Sequence, residues 1–282
     1  MPYAKINNIA AASIAKKFNI AKSSCAKISN VTTPSSFSNT YSLDFDGTND
    51  FLVSSGNMDA TEGNNRTRTW SWWLKAGSGD IGSGVKYILW PGDNNMAFLF
   101  NGSNLVINSS TAFPPMTASW TYRSDYFETG SWVHFCFTQS CPGGNNTEAV
   151  HKLYIDAVLK ETWTLTRNQA DYTMKHMSIG ASFNSGSSPY GNIKCQMDEV
   201  AWWSGVALDA DAVTAIYNSG VPIDLSVDSG NYDNSSDLRS WWRMGDGDTI
   251  DADDATIEDN AGSLDLVMTN MVQADVEEDV PS

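Results

Sequence analysis

Ser42-Leu43-Asp44-Phe45-Asp46-Gly47-Thr48-Asn49-Asp50-Phe51-Leu52-Val53 is the stretch that decides the fold. Leu43 and Phe45 alternate with Asp44 and Asp46, the period of a strand with one buried face. Gly47-Thr48-Asn49-Asp50 then supplies turn residues before a second apolar run. The same grammar continues outward through Trp70-Ser71-Trp72-Trp73-Leu74, residues 87–90, 97–100, 105–107, 132–138, 153–155, 162–165 and 177–179, as far as 198–203. So many short strands at this spacing, with no helical stretch among them, predict an all-β sandwich or barrel. One helix is expected after the last of them. Asp209 is placed to cap it, Val213, Ile216 and Tyr217 form its apolar stripe, and Gly220 stands where a C′ stop is expected.

Composition narrows the function classes. The 282 residues carry 33 acidic and 17 basic side chains, a formal charge of minus 16, which argues against general nucleic-acid binding. No apolar stretch approaches the roughly 18 residues of a membrane span, and no secretory signal is read in residues 1–40. Cys25, Cys136, Cys141 and Cys195 lack zinc-finger spacing and read as reduced, buried thiols.

The charge is unevenly distributed. Residues 1–40 hold five lysines and no acid, whereas residues 224–282 hold 16 acids against Arg239 and Arg243. Ala4-Lys5, Ala15-Lys16 and Ala26-Lys27 open three copies of a short unit at a period of 11. That period suits either a right-handed helical supercoil or three turns of a β-arch ladder. Either way Ile9, Ile20 and Val31 need a partner surface, so residues 1–36 are read as an anchoring and oligomerising arm with its linker, a trimer being favoured. Residues 37–237 form the sandwich, 238–272 add strands that complete it, and 273–282 are expected as an acidic tail.

Seven motifs in order carry a family resemblance. Ser42–Phe51, Trp70-Ser71-Trp72-Trp73, Gly130-Ser131-Trp132-Val133-His134-Phe135, Leu153-Tyr154-Ile155-Asp156, Ile179-Gly180, Met197-Asp198-Glu199-Val200 and Tyr217-Asn218-Ser219-Gly220 together resemble the concanavalin A-like, laminin-G-type jelly roll over about residues 41–223. The resemblance implies a two-sheet antiparallel jelly-roll sandwich. Ala157 departs from the pattern, standing where the family has Gly after Asp156, which puts a type I′ turn in question. Leu238 to Asp246, with Trp241-Trp242-Arg243-Met244-Gly245-Asp246, and Asp259-Asn260-Ala261-Gly262 resemble a unit that in many such jelly rolls precedes the first strand. Together with the leader they make the chain similar to structural proteins of marine bacteriophages. That similarity implies a non-enzymatic virion component, made in the host cytoplasm, with other virion proteins as partners. The alternative is a lectin-like protein whose main role is glycan recognition.

Catalytic constellations are scarce. There is no GxSxG, HExxH, P-loop or GxGxxG, and Asp198 and Glu199, being adjacent, should face opposite sides of a strand. His134, His151 and His176 read as packing or surface residues. Asp198 shares strand parity with Val200 and Trp202 and so should face inward, where a carboxylate needs donors or a cation. The resemblance implies a structural Ca²⁺ held by Asp198 with Asp46, Asp50 and the Gly47 carbonyl; a metal-free, hydrogen-bonded Asp198 is the other reading. In Trp72-Trp73 and Trp202-Trp203 one neighbour must face outward, making Trp73 and Trp203 candidates to stack a sugar ring or to be covered by other protein.

Overall fold

The computed structural model describes residues 37–58, 67–92, 96–109, 116–141, 147–167, 176–183, 188–250 and 255–282. The arm expected over 1–36, with Ile9, Ile20 and Val31, lies outside the described residues. The alternating segments build two antiparallel sheets of eight strands. The first runs β10 (Val158–Arg167), β9 (Thr147–Ile155), β8 (Val133–Ser140), β3 (Arg68–Lys75), β12 (Lys194–Ser204), β1 (Ser42–Asp46) and β16 (Val276–Glu277), with β13 (Leu238–Trp242) also paired to β12. The second runs β14 (Thr256–Ile257), β15 (Leu266–Thr269), β2 (Phe51–Ser54), β11 (Ser178–Ile179), β4 (Val85–Trp90), β5 (Ala97–Asn101), β6 (Asn104–Ser109) and β7 (Met116–Trp120). This is the predicted antiparallel sandwich.

The two inner faces meet in an aromatic core. Trp72 stacks on Phe135 at 3.9 Å, Trp70 stacks on Trp202 at 5.5 Å, and Phe98 meets Trp70 and Trp72 edge-on. Fully burying each such ring contributes about 1.5–3 kcal/mol. Cys136, Cys141 and Cys195 are free thiols buried in the sandwich.

Local chemistry explains the connections. The hairpin between β9 and β10 has two residues, Asp156 and Ala157, at φ 49° and 60°, so the type I′ turn is kept although Ala replaces the favoured Gly. Helix α1 (Ala210–Tyr217) begins where the Asp209 carboxylate accepts the Ala212 N–H at 2.9 Å. It stops earlier than Gly220: Asn218 takes the left-handed cap conformation at φ 44°.

One irregularity dominates the first sheet. β1 and β13 both lie on the same side of β12, pairing Lys194–Met197 and Val200–Trp203 respectively, so they follow one another end to end. Between them β12 bulges, with Glu199 at φ 50° and the register against β3 shifting between Asp198 and Ala201. The bulge corrects the parity expected for this strand. Met197, Val200 and Trp202 face the core, Asp198 loses its parity with Val200, and Asp198 and Glu199 are both buried.

The C-terminal segment serves both sheets. It gives β13 to the first and β14 and β15 to the second. Residues 273–282, expected as a tail, are docked: β16 pairs with β1, Ser42 Oγ donates to the Asp279 carbonyl at 2.7 Å, and the Asp279 carboxylate accepts Trp132 Nε1 at 3.1 Å and pairs with Lys75. An edge strand held this way covers the open side of β1.

Candidate functional site

The carboxylates expected to share Ca²⁺ are not brought together. Asp46 pairs with Lys194 across β1 and β12, four positions from Asp198, which is about 13 Å along a strand. Asp46 and Asp50 spend their oxygens on their own turn. Asp50 Oδ2 accepts the Asp46 N–H at 2.8 Å, and Asp46 Oδ1 accepts those of Thr48 and Asn49 at 2.6 and 3.2 Å. Burial pushes the Asp50 carboxyl up to about 6. Burial also acts on Asp46, but the N–H groups of Thr48 and Asn49 outweigh it and hold that carboxyl below its ordinary value. Among the described residues no three His, Cys, Asp or Glu side chains converge to hold a metal ion. Asp198 thus stands apart from Asp46 and Asp50 along the strand.

Trp73 and Trp203 do face outward from the first sheet, but neither is available to a sugar. The segment after β12 folds back across that face. Trp73 stacks on Tyr217 of α1 at 5.7 Å, and Trp203 Nε1 donates to the Tyr232 hydroxyl at 3.0 Å, which itself donates to the Leu225 carbonyl at 2.8 Å. Trp73 is 4% and Trp203 0% exposed. Beneath the same cover Ser71 Oγ lies 2.7 Å from His134 Nε2. The spacing resembles a nucleophile and its base, yet burial drives the imidazole down to about 3 and no described group orients His134 Nδ1. That pair has no substrate access. His151 stacks on Trp163 at 5.1 Å, and His176 Nε2 lies 2.9 Å from the Phe183 carbonyl.

The bulge in β12 collects a buried polar network. Asp198 Oδ2 accepts Asn39 Nδ2 and Oδ1 accepts the Glu199 N–H, both at 2.7 Å. Glu199 accepts Trp241 Nε1 and, at 3.1 Å, Arg243 Nε. Arg243 also faces Asp246 at 3.4 Å, whose Oδ2 accepts the Thr40 and Tyr41 N–H groups at 2.7 and 3.3 Å. Two interior carboxylates, Glu199 and Asp246, thus share one guanidinium, and Asp198 lies beside them on Asn39 and the Glu199 N–H. Burial, then the charge of Glu199, raises the Asp198 carboxyl well above its ordinary value; burial, opposed by Arg243, pushes Glu199 up to about 7. These acids tie the start of β1 to the end of β13 and reach no open surface.

A cleft does open elsewhere, at the edge where the two sheets part. It has a volume of about 380 Å³ and lies between the end of β2 (Ser55, Asn57), β13 (Arg239, Ser240) and the turn after β14, with Trp202 lining it as well. That volume falls at the lower end of small-molecule sites. Asp259 builds the turn. Its Oδ1 accepts the N–H groups of Trp241, Ala261 and Gly262 at 2.9, 3.1 and 2.9 Å, and its Oδ2 that of Leu264 at 3.1 Å. Gly262 is required there, since a Cβ would stand 2.5 Å from the Arg239 carbonyl. The side chains of Ser55, Asn57, Arg239, Ser240 and Ser263 make no hydrogen bond or ion pair to another described residue. Sequence reasoning did not find this cleft. The Asp259-x-x-Gly262 turn was its visible mark, but the cleft needs residues from four distant segments.

A two-sheet antiparallel jelly roll with a polar cleft at its open edge belongs to the class of lectin-like sandwiches. The family model described as the concanavalin A-like lectin/glucanases superfamily matches residues 45–214, more than half of the chain, and the chain belongs to that family. Among solved structures, a Bacteroides ovatus protein provisionally described as carbohydrate-binding is similar with a TM-score of 0.56 at 14% identity, over 87% of this chain and 62% of that one. A heptameric pentraxin of Limulus polyphemus gives 0.45 at 14% identity over 64% and 82% of the two chains. The receptor-binding domain of a botulinum neurotoxin of mosaic serotype C/D gives 0.49 at 14% identity over 62% and 41%. At these identities the likeness concerns the fold. No curated protein gives a match to the sequence.

Proposed function

We propose that the chain is a saccharide-binding jelly roll that holds its ligand in the cleft between β2, β13 and the Asp259 turn, and that it binds without turnover. The observation that carries this is the set of unengaged polar side chains converging on a recess of about 380 Å³. A sugar needs many modest hydrogen bonds plus some apolar contact, and the lining offers serine hydroxyls, the Asn57 amide and Trp202. Among the described residues the lining contains one carboxylate, Asp259, whose oxygens already accept four N–H groups, so these residues do not supply the two free carboxyls of glycoside hydrolysis. An oligosaccharide array probed with the full chain tests the reading. Binding should be detected, and Ser263→Trp, at an exposed position of the rim, should abolish it without moving the melting temperature. Binding that survives the blocked cleft, or no binding to any oligosaccharide, overturns the proposal.

A second reading adds a setting to this activity. The period-11 repeat favours an assembled appendage, such as a virion fibre, head decoration or adsorption protein, held through residues 1–33 as a homo-oligomer with virion partners. Sedimentation of the chain with and without residues 1–33 tests it: the shortened chain should no longer assemble, and an unchanged oligomer would count against it.

A further inference from the structure

Resting on that reading of the cleft, we infer that the saccharide it takes is anionic, bearing a carboxylate or sulfate that Arg239 reads. Among the described residues, Arg239 brings to the cleft a positive charge that no carboxylate of the lining pairs. Of the acceptors around the cleft, the Asp259 carboxylate is filled by four N–H groups, the Gly56 carbonyl accepts Ser54 Oγ at 2.7 Å, and the Leu264 carbonyl accepts Trp242 Nε1 at 2.8 Å. The donors are not used up. Arg239 is exposed on β13 between the buried Leu238 and Ser240, and no carboxylate among the described residues pairs with it. Its guanidinium offers five N–H donors, the Asn57 amide two, and each serine hydroxyl one.

The serine hydroxyls and the Asn57 amide both donate and accept and are matched by a neutral sugar, but a neutral hydroxyl gives the Arg239 guanidinium no counter-charge. An oxyanion supplies that counter-charge, and the planar fork of arginine matches carboxylate and sulfate alike. The setting sharpens the point. A chain of net charge minus 16 repels anions at long range, so a preference for an acidic ligand here must come from local contacts.

The test compares matched saccharides on the full chain by titration calorimetry: uronate oligosaccharides against their methyl esters, and sulfated oligosaccharides against their desulfated forms. The acidic member of one pair should bind roughly 10- to 100-fold more tightly, the range expected for a charge-assisted hydrogen bond. Which pair shows the difference identifies the oxyanion. Arg239→Gln should erase the preference without moving the melting temperature, and Arg239→Lys should keep part of it. Equal binding of acidic and neutral members would overturn this inference alone and leave the saccharide reading standing. Binding of none would overturn both. Loss of acidic and neutral binding together in Arg239→Gln would also refute it, since the residue would then shape the cleft rather than read charge.

Discussion

Replacing Glu199 with glutamine should change how stability responds to pH, because its carboxyl is 3% exposed and burial pushes it up to about 7. In the unfolded chain the group returns to its ordinary 4.5. Below about pH 4.5 both states hold the proton and the contribution of Glu199 to stability is fully present. As the pH rises toward about 7 the unfolded chain ionises first, so stability is lost through that window and the loss is complete above it. A span of about 2.5 pH units at about 1.4 kcal/mol per unit gives about 3 kcal/mol. The groups facing Glu199 are Arg243, Asp246, Asp198 and Trp241, with His134 lining the small void on the α1 side. His134, driven down to about 3, stays neutral across the window. Glu199→Gln removes the proton but leaves one of the Trp241 and Arg243 donors poorly met, a pH-independent loss of about 1 kcal/mol. Urea unfolding followed by tryptophan fluorescence at about pH 4.5, 6 and 8 would give the difference between wild type and variant. That difference should move by about 3 kcal/mol in favour of the variant between the two extremes. A difference constant to within about 0.5 kcal/mol would refute the reasoning, because a carboxyl with an ordinary pKa produces no such slope.

The remaining expectations are simpler. Ala157→Gly should raise stability by about 1 kcal/mol, or roughly 2–4 °C in melting temperature, because the alanine sits at φ 60° in a turn that glycine occupies without strain; an unchanged or lower melting temperature would count against it. Removing residues 276–282 deletes β16 and the partners of Ser42, Trp132 and Lys75, and should destabilise by on the order of 2 kcal/mol or more. Equal urea midpoints for the two chains would show that the tail only rests on the sheet.

The sandwich was legible in the sequence because its strands are buried on one face, and alternation such as Leu43 and Phe45 against Asp44 and Asp46 records that directly. Parity failed at Asp198 for a local reason. A bulge adds one residue out of phase, and the residue that bears it, Glu199 at φ 50°, is not a glycine that would have marked it. The helix end was misplaced because Asn218 takes the left-handed cap two positions before Gly220. For Trp73 and Trp203 alternation gave the correct face, but their cover comes from α1 and from Tyr232, and no period within β3 or β12 encodes it. The cleft was invisible for the same reason: Asn57, Trp202, Arg239 and Ser263 meet only after the C-terminal strands have joined both sheets.

The pairing of β1 with β16 also bears on how the protein is made. Ser42 faces Glu277, a partner separated from it by almost the entire domain, and β2 likewise waits for β15. At about 5–20 residues per second, β1 spends on the order of ten seconds or more outside the ribosome with one side unmatched. Closure of the sandwich must then wait until β16 has left the exit tunnel, and until that point the nascent chain depends on staying apart from its neighbours on the same messenger. Pairing over such a separation also makes a slow folder. With the first and last strands adjacent, a variant whose ends are joined and whose chain is reopened in a surface turn, such as Asp156-Ala157, would complete β1 earlier in synthesis without altering a single core contact.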